Sequence, residues 1–372
     1  MTVTLRMASV GDLSRGTTSR HRSDAFRRLG IEVLEFDTAP YAAAGGRLAS
    51  ALRIRLLADL VVRRLNADLV AFCRDVRPDL VWFDKPTFVW RSTLDRLRRL
   101  GILLVNYVID NPYSTLPGEP GWRLIRKCIP HYDVNVVPRP SSVDDYRAAG
   151  ASHVVLMPLA FDPMVHYPQA NVDPQAIGES PAAEHRVCFI GSPYGDRPGL
   201  IGELGRRGLP VTVRGNRWAP HIATSGENVR FMPEAVGDEY RRAIWNADIC
   251  LGLITHAHRD PVAHRSFEIA ASGGFLLGER TEGQTATFAE DLEACFFGDV
   301  DEAAEKAAYY LRHERARHAI ARAGAVRAWT SGYSNDERQA AALAEIDGRL
   351  GAGLVDRARV IVASRRTQVG LS

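Results

Sequence analysis

The sequence predicts an α/β protein of two parallel-sheet lobes joined by a linker, and three observations predict it. Short apolar runs rich in β-branched residues alternate with amphipathic helical stretches, the order that parallel strands need because each pair requires a crossover. The rhythm stops at Tyr167–Arg186, a stretch with three prolines and little apolar periodicity, and then restarts. A length of 372 residues suits two domains at roughly 150 residues each.

In the first lobe the strand candidates are Thr4–Val10, Glu32–Phe36, Leu80–Phe83, Ile102–Ile109, Val134–Val137 and Val154–Met157, each bounded by Gly, Pro or Asp. Helical patterns lie between them at Ser19–Leu29, Arg47–Arg74, Arg91–Leu100 and Ser141–Ala149. After the linker come strands Val187–Ile190, Val211–Arg214, Val229–Met232, Ile249–Ile254, Phe275–Gly278 and Cys295–Phe297, again with helices between. Asp301–Trp329 and Asn335–Leu350 read as closing helices. The expected division is residues 1–166, a linker at 167–186, a second domain at 187–334, and a terminal helix and tail at 335–372. A bilobed chain of this kind binds ligands in a cleft facing the carboxyl ends of its strands.

Hydrophobic residues at 46% and charged residues at 24% exclude a disordered chain, a collagen-like rod or a disulfide scaffold. Five widely spaced cysteines without a C-x-x-C pair fit a reducing cytoplasm better than a disulfide or zinc framework. No leader-like start and no run of 18 uncharged apolar residues is present, so neither secretion by that route nor a membrane span is expected. Of 47 basic residues only Lys85, Lys127 and Lys306 are lysines, as GC-rich codon usage produces. Codon usage does not choose a half, yet residues 1–128 carry 21 Lys/Arg against 13 Asp/Glu, a net of +8. Phosphate-bearing ligands or an anionic membrane face are the partners such a half invites.

The densest local signal is HRDPVAHRSFEIAASGGFLLGERTEG, His258–Gly283. A loop follows the strand ending near Ile254; a helix runs from about His264 to Ala271, and Gly273-Gly274 stop it. Arg265 and Glu268 are three apart and share one face near the helix N-terminus, where an arginine makes an anion site and a carboxylate accepts from sugar hydroxyls. The competing reading is a solvated i,i+3 ion pair. Asp260 stands eight residues before Glu268, an acid-x7-acid spacing. His256-Ala257-His258 reads as a metal-binding H-x-H or, preferably, as a polar loop facing the cleft. Asp299-Val300-Asp301 matches an Asp-x-Asp metal motif, but it opens a helix, where aspartates cap. In the first lobe, Gly11, Asp12, Arg15, Gly16 and His21 follow the first strand without a G-x-G-x-x-G fingerprint. Asp110 ends a strand in VIDNPYS; it either handles an acceptor hydroxyl as a base or caps a turn. Arg47–Arg74 is a basic amphipathic stretch that either packs inward or rests on anionic lipid.

The string Arg265–Leu277 (RSFEIAASGGFLL) with Glu282-Gly283 resembles the signature of the CgeB-like (spore maturation protein) glycosyltransferases, a branch of the two-domain GT-B enzymes. FIGSPYGDRPGLIGEL, VTVRGNRW, AAYYLRHERARHAIARAG, DLVWFDKP and the Asp110-Asn111-Pro112 turn agree with it. The resemblance implies two Rossmann-like domains facing across a cleft. It implies transfer of a sugar from a nucleotide-diphosphate-sugar donor to an unidentified acceptor hydroxyl, retaining and without metal or other required cofactor. Glu268 would hold the donor ribose, Asp260 would stand near the donor sugar where relatives carry Glu, and Arg197 would meet the diphosphate. Arg217 and Trp218 would line the nucleotide pocket. The donor-side set is completed by Gly191, His256, His258, His264, Arg265, Gly273 and Gly274; His21 and Asp110 are the base candidates. A glycan, a lipid-linked sugar, a protein and a small molecule are all open as acceptors, no nucleic acid partner is expected, and the location is cytoplasmic, with or without peripheral contact at the inner membrane face. The alternative is a GT-B-shaped binding protein without turnover.

Overall fold

The computed structural model describes residues 4–46, 49, 52–53, 56–114, 122–169 and 185–351. These fall into two compact units: the residues up to Pro158 together with the helix Asn335–Leu350, and Leu159–Ser334.

The first unit is a parallel sheet of six strands, β1 (Arg6–Gly11), β2 (Glu32–Asp37), β3 (Leu80–Asp84), β4 (Leu103–Tyr107), β5 (Val134–Val137) and β6 (Val154–Leu156), in the order β2-β1-β3-β4-β5-β6. Helices α1 (Thr18–Arg28), α2 (Ala39–Ala43), α3 (Leu60–Val76), α4 (Arg91–Arg98), α5 (Trp122–Cys128) and α6 (Pro140–Ala148) connect them. On one face α3 sets Leu65, Leu69 and Cys73 at i, i+4 and i+8 against Val81, Phe83 and Leu104. On the other, Phe26 of α1 and Leu29 at its C-terminal cap pack with Ala342, Leu343 and Ile346 of the helix Asn335–Leu350 over Met7, Trp82 and Val105. That helix is fixed to α1 by a bidentate Arg28–Asp336 pair (2.9 and 2.6 Å) and by Gln339 Nε2 donating to the Arg22 carbonyl at 3.0 Å.

The Arg47–Arg74 stretch is not one helix. Leu57 turns inward with φ of 54°, and Asp59 caps a new helix by accepting from Val62 N–H at 2.7 Å. Residues 47–48, 50–51 and 54–55 of it lie outside the described residues. Among the described residues no helix is long and apolar enough to cross a membrane.

The second unit repeats the plan with β7 (His185–Ile190), β8 (Val211–Arg214), β9 (Val229–Met232), β10 (Ala247–Gly252), β11 (Leu276–Glu279) and β12 (Cys295–Phe297), all parallel in the order β12-β11-β10-β7-β8-β9. Its helices are α7 (Arg197–Arg206), α8 (Asp238–Trp245), α9 (His264–Ala271), α10 (Glu282–Thr287), α11 (Val300–Arg312) and α12 (Glu314–Thr330); Asn335–Leu350 is α13. Two expectations shift. Residues 159–169, read from sequence as the end of the first domain and the start of a linker, pack in the second unit: Phe161 N–H donates to Tyr333 O, and Trp245 Nε1 donates to Tyr167 O. The strand after the linker begins at His185; the linker residues 170–184 lie outside the described residues. Asp299 accepts from Glu302 N–H at 2.9 Å as the cap of α11, and Asp301 pairs with Arg207, so the Asp-x-Asp string is helix-start chemistry.

The ends of β7 and β8 touch through backbone. A Cβ on Gly215 would lie 2.1 Å from the Gly191 carbonyl oxygen, which also accepts from Trp218 Nε1 at 2.8 Å. Gly215→Ala is therefore expected to destabilise the protein by about 1–3 kcal/mol in denaturant melts. Gly348→Ala in α13, where a Cβ meets nothing within 4 Å, serves as the control and stabilises by up to about 1 kcal/mol.

Candidate functional site

In the second sheet β7 lies between β10 and β8, because the chain runs from β7 outward to β9 and returns to the other flank at β10. At that reversal the two connections leave in opposite directions and open a crevice at the carboxyl ends of the strands. Gly191 follows β7, and α7 begins above it with Arg197 as its first residue and no acidic side chain in its first turn. The Arg197 guanidinium bridges the reversal. Nη1 donates to Ser192 O at 3.2 Å on the β7 side, and Nη2 donates to Leu253 O at 2.9 Å and Thr255 Oγ1 at 2.8 Å on the β10 side. It lies beside the rings of Phe189 and Tyr194, and among the described residues its buried Nε finds no hydrogen-bond partner.

The second component is α9, which also starts with basic residues, His264 and Arg265, where a helix dipole favours acids. The positive charge of Arg265 adds to the N–H groups of the first turn. Arg265 Nη1 donates to Glu268 Oε2 at 2.6 Å, as the i,i+3 spacing predicts. Glu268 is 3% exposed and does not stand open to the crevice. Its Oε2 also accepts from Tyr240 OH at 2.7 Å, its Oε1 faces His166 at 3.6 Å and His264 at 3.8 Å, and Arg265 rests on the Tyr240 ring at 4.7 Å. Burial opposes the Glu268 charge, but Arg265, His264, His166 and the Tyr240 hydroxyl outweigh it and hold the carboxyl well below the usual range. Arg265 keeps 37% of its side chain exposed, so the pair has a buried anion and a cation reaching outward.

Third comes Glu279, the last residue of β11. It accepts from Ile254 N–H at 2.7 Å and contacts His256 Nε2 at 2.6 Å. Burial and the nearby Arg265 charge lower the pKa of Arg197, while Glu279 and Asp260 pull the other way. Arg197, Arg265, Asp260 and Glu279 thus occupy one electrostatic neighbourhood.

The other expected site residues divide between this neighbourhood and the packing around it. Trp218 is a core residue, 3% exposed between Phe189 and Phe231, and its indole secures the Gly191 turn. Arg217 beside it is exposed with a left-handed φ of 68°. Gly273 and Gly274 terminate α9 at the end opposite Arg265; a Cβ there would meet Pro168 or Ile244, so their smallness serves packing. His258 is buried, whereas His256 is exposed. His264 Nε2 is tied to the Ala160 carbonyl at 2.8 Å. Among the described residues no group of three or more His, Cys, Asp or Glu assembles as a metal cage.

In the first unit β1 lies between β2 and β3, and the carboxyl end of β3 carries Asp84, 2% exposed. Asp84 accepts from Arg22 Nε at 2.5 Å, Arg22 Nη2 at 2.8 Å and Ser19 Oγ at 2.9 Å, and Arg22 stacks 4.6 Å over Tyr107. Asp110, beyond β4, accepts from Lys85 Nζ at 2.6 Å, and Lys85 itself has a left-handed φ of 51°. His21 precedes Arg22 on α1, and one helical step separates their directions by about 100°. The sequence assigned no site role to Arg22, Asp84, Tyr240, His166 or Glu279; the two strand-end carboxylates left a trace as acids closing an apolar run, and His166 stands, with Pro168, among the residues that carry the family resemblance.

Two parallel six-stranded sheets, each with its own strand-order reversal and flanking helices, make up the GT-B glycosyltransferase fold. Residues 197–344 match the family model described as glycosyl transferase-like. Among solved structures it is similar to sucrose-phosphate synthase from Thermosynechococcus elongatus, at 13% identity over 94% of this chain and 100% of that one, with a TM-score of 0.65. It is likewise similar to Anabaena HepE in complex with UDP-glucose (12% identity, 92% and 100% coverage, TM-score 0.64). A glycosyltransferase from Rickettsia africae follows at 12% identity, 93% and 98% coverage and a TM-score of 0.59. No curated protein matches the sequence.

Glu268→Gln leaves Arg265 without its carboxylate and is expected to cost about 3 kcal/mol at neutral pH, the low end for a broken buried pair because Arg265 rehydrates. A depressed folded-state pKa means stability that is present above the unfolded value near 4.3 and lost as pH falls below it. Denaturant titrations from pH 7 to pH 3 are therefore expected to show a flatter acid limb in the variant than in the wild type.

Proposed function

We propose that the protein is a glycosyltransferase that takes a sugar from a nucleotide-diphosphate-sugar donor and passes it to an acceptor hydroxyl. The observation that carries this reading is Arg197. It is the first residue of a helix, spans the β7–β10 reversal, has Arg265 as its neighbouring cation, and falls at the start of the segment matching the glycosyl transferase-like family. Two guanidiniums and two helix N-termini directed at one crevice answer the need of this chemistry. The bond from the anomeric carbon to the β-phosphate oxygen breaks, a bond to the acceptor oxygen forms, and negative charge collects on the leaving diphosphate.

In this reading Arg197 and Arg265 take the diphosphate, with Gly191 and His256 beside it and Asp260 nearest the sugar. Glu268 acts first by holding Arg265 and Tyr240, and the donor ribose reaches it as the Arg265 contact opens. Charge supplied by arginines makes the reaction independent of a metal or other cofactor. HepE, with which the chain shares its fold, was solved with UDP and with UDP-glucose, which supports a uridine nucleotide as the first donor to try. The CgeB-like signature supports that branch of the family and a retaining outcome. Asp110 and His21 belong to acceptor handling, and the basic excess of residues 1–128 suits an acidic acceptor or the anionic cytoplasmic face of a membrane.

Calorimetry with UDP, GDP, ADP and TDP tests the donor site: at least one is expected to bind, and Arg197→Ala to weaken it about tenfold or more, as for a lost charged hydrogen bond. Absence of binding by all four, or full affinity in the variant, overturns the assignment. Release of nucleoside diphosphate from the matching nucleotide sugar separates an enzyme from a binding protein without turnover.

A further inference from the structure

We propose that Glu279 is a positioning residue for Arg197: it fixes the loop after β10 in the shape that receives the Arg197 guanidinium. The proposal rests on the donor reading above.

Four successive residues carry it. Leu253 gives its carbonyl to Arg197 Nη2, Ile254 gives its N–H to Glu279 Oε1, Thr255 gives its hydroxyl oxygen to Arg197 Nη2, and His256 sets Nε2 against Glu279 Oε2. The segment therefore alternates between two partners, Arg197 toward β7 and Glu279 toward β11. Over residues 253–255 this alternation is that of extended chain, in which neighbouring residues face opposite ways, and His256 then opens a single 3-10 turn, His256–His258. Beyond Gly252 the β10–β11 register ends, at its pairing with Gly278, so no further sheet pairing with β11 holds residues 253–256. The Glu279 carboxylate takes over that task from the next position on β11.

A carboxylate beside a site for a polyanion is otherwise a poor choice, because its charge opposes the ligand. With one oxygen on Ile254 N–H and the other on His256, Glu279 spends both on the loop, and only 21% of its side chain is exposed. What it contributes is orientation. A guanidinium whose three acceptors are fixed in advance loses less freedom when an anion binds.

Glutamine at this position keeps the shape without the charge, since its oxygen accepts from Ile254 N–H and its amide donates to the His256 ring nitrogen. Alanine removes both contacts. The test compares wild type, E279A and E279Q in calorimetry with UDP and in ligand-observed NMR with uridine, which has the base and ribose but no phosphate. Thermal unfolding checks that each variant is folded. E279A is expected to weaken UDP binding about tenfold, E279Q by no more than about threefold, and neither to change uridine binding. Wild-type UDP affinity in E279A, an equal loss in both variants, or a parallel loss of uridine binding overturns the role of Glu279. Failure of the wild type to bind UDP at all removes the uridine donor reading instead.

Discussion

The reversal of strand order at β7 is the constraint on which the second unit depends. One strand must serve as the inner neighbour of two others whose connections leave in opposite directions, so no helix covers the space at its carboxyl end. Close packing then has to be achieved by backbone alone: Gly215 passes the Gly191 carbonyl at a distance no side chain tolerates, and Trp218 ties the same oxygen. Into the space so opened the chain sends Arg197, whose guanidinium is bound to protein on both sides of the reversal. The first unit repeats the reversal at β1, with Arg22 and Asp84 next to it.

The electrostatics are arranged around burial. Glu268 is nearly sealed from water and is tolerable only because Arg265, Tyr240 and two histidines surround it. The arginine in that arrangement is left partly in solvent near Arg197, where each guanidinium makes the other more costly. An anion bound between them would relieve that cost.

Much of this was legible in the sequence. Runs such as Val211–Arg214 and Val229–Met232 return as strands at the same residues, because β-branched residues between Pro, Gly and Asn leave little choice. The Arg265–Glu268 pair was legible from its offset along a helix, and Arg197 was named through the family resemblance. What was hidden depends on partners far along the chain. Trp218 reads as a pocket residue until Phe189 and Phe231 close on it, and Glu279 reads as a strand-end acid until the loop at 253–256 is seen to lean on it. Gly273-Gly274 lay in the most recognisable string of the sequence yet serve packing, since a strong signature records a helix stop as readily as a ligand. The start of the second unit at Leu159 was hidden for another reason: proline-rich composition marks where periodicity fails, while the contacts of Phe161, His166 and Tyr167 decide which unit the preceding residues join.

The central claim is that a nucleoside diphosphate sits in the β7–β10 crevice against Arg197. A crystal structure of the protein grown with UDP tests it most directly. Diphosphate oxygens are expected within hydrogen-bond distance of the Arg197 guanidinium and near the start of α9; UDP bound in the second unit away from both arginines, or in the first unit alone, would rule this site out.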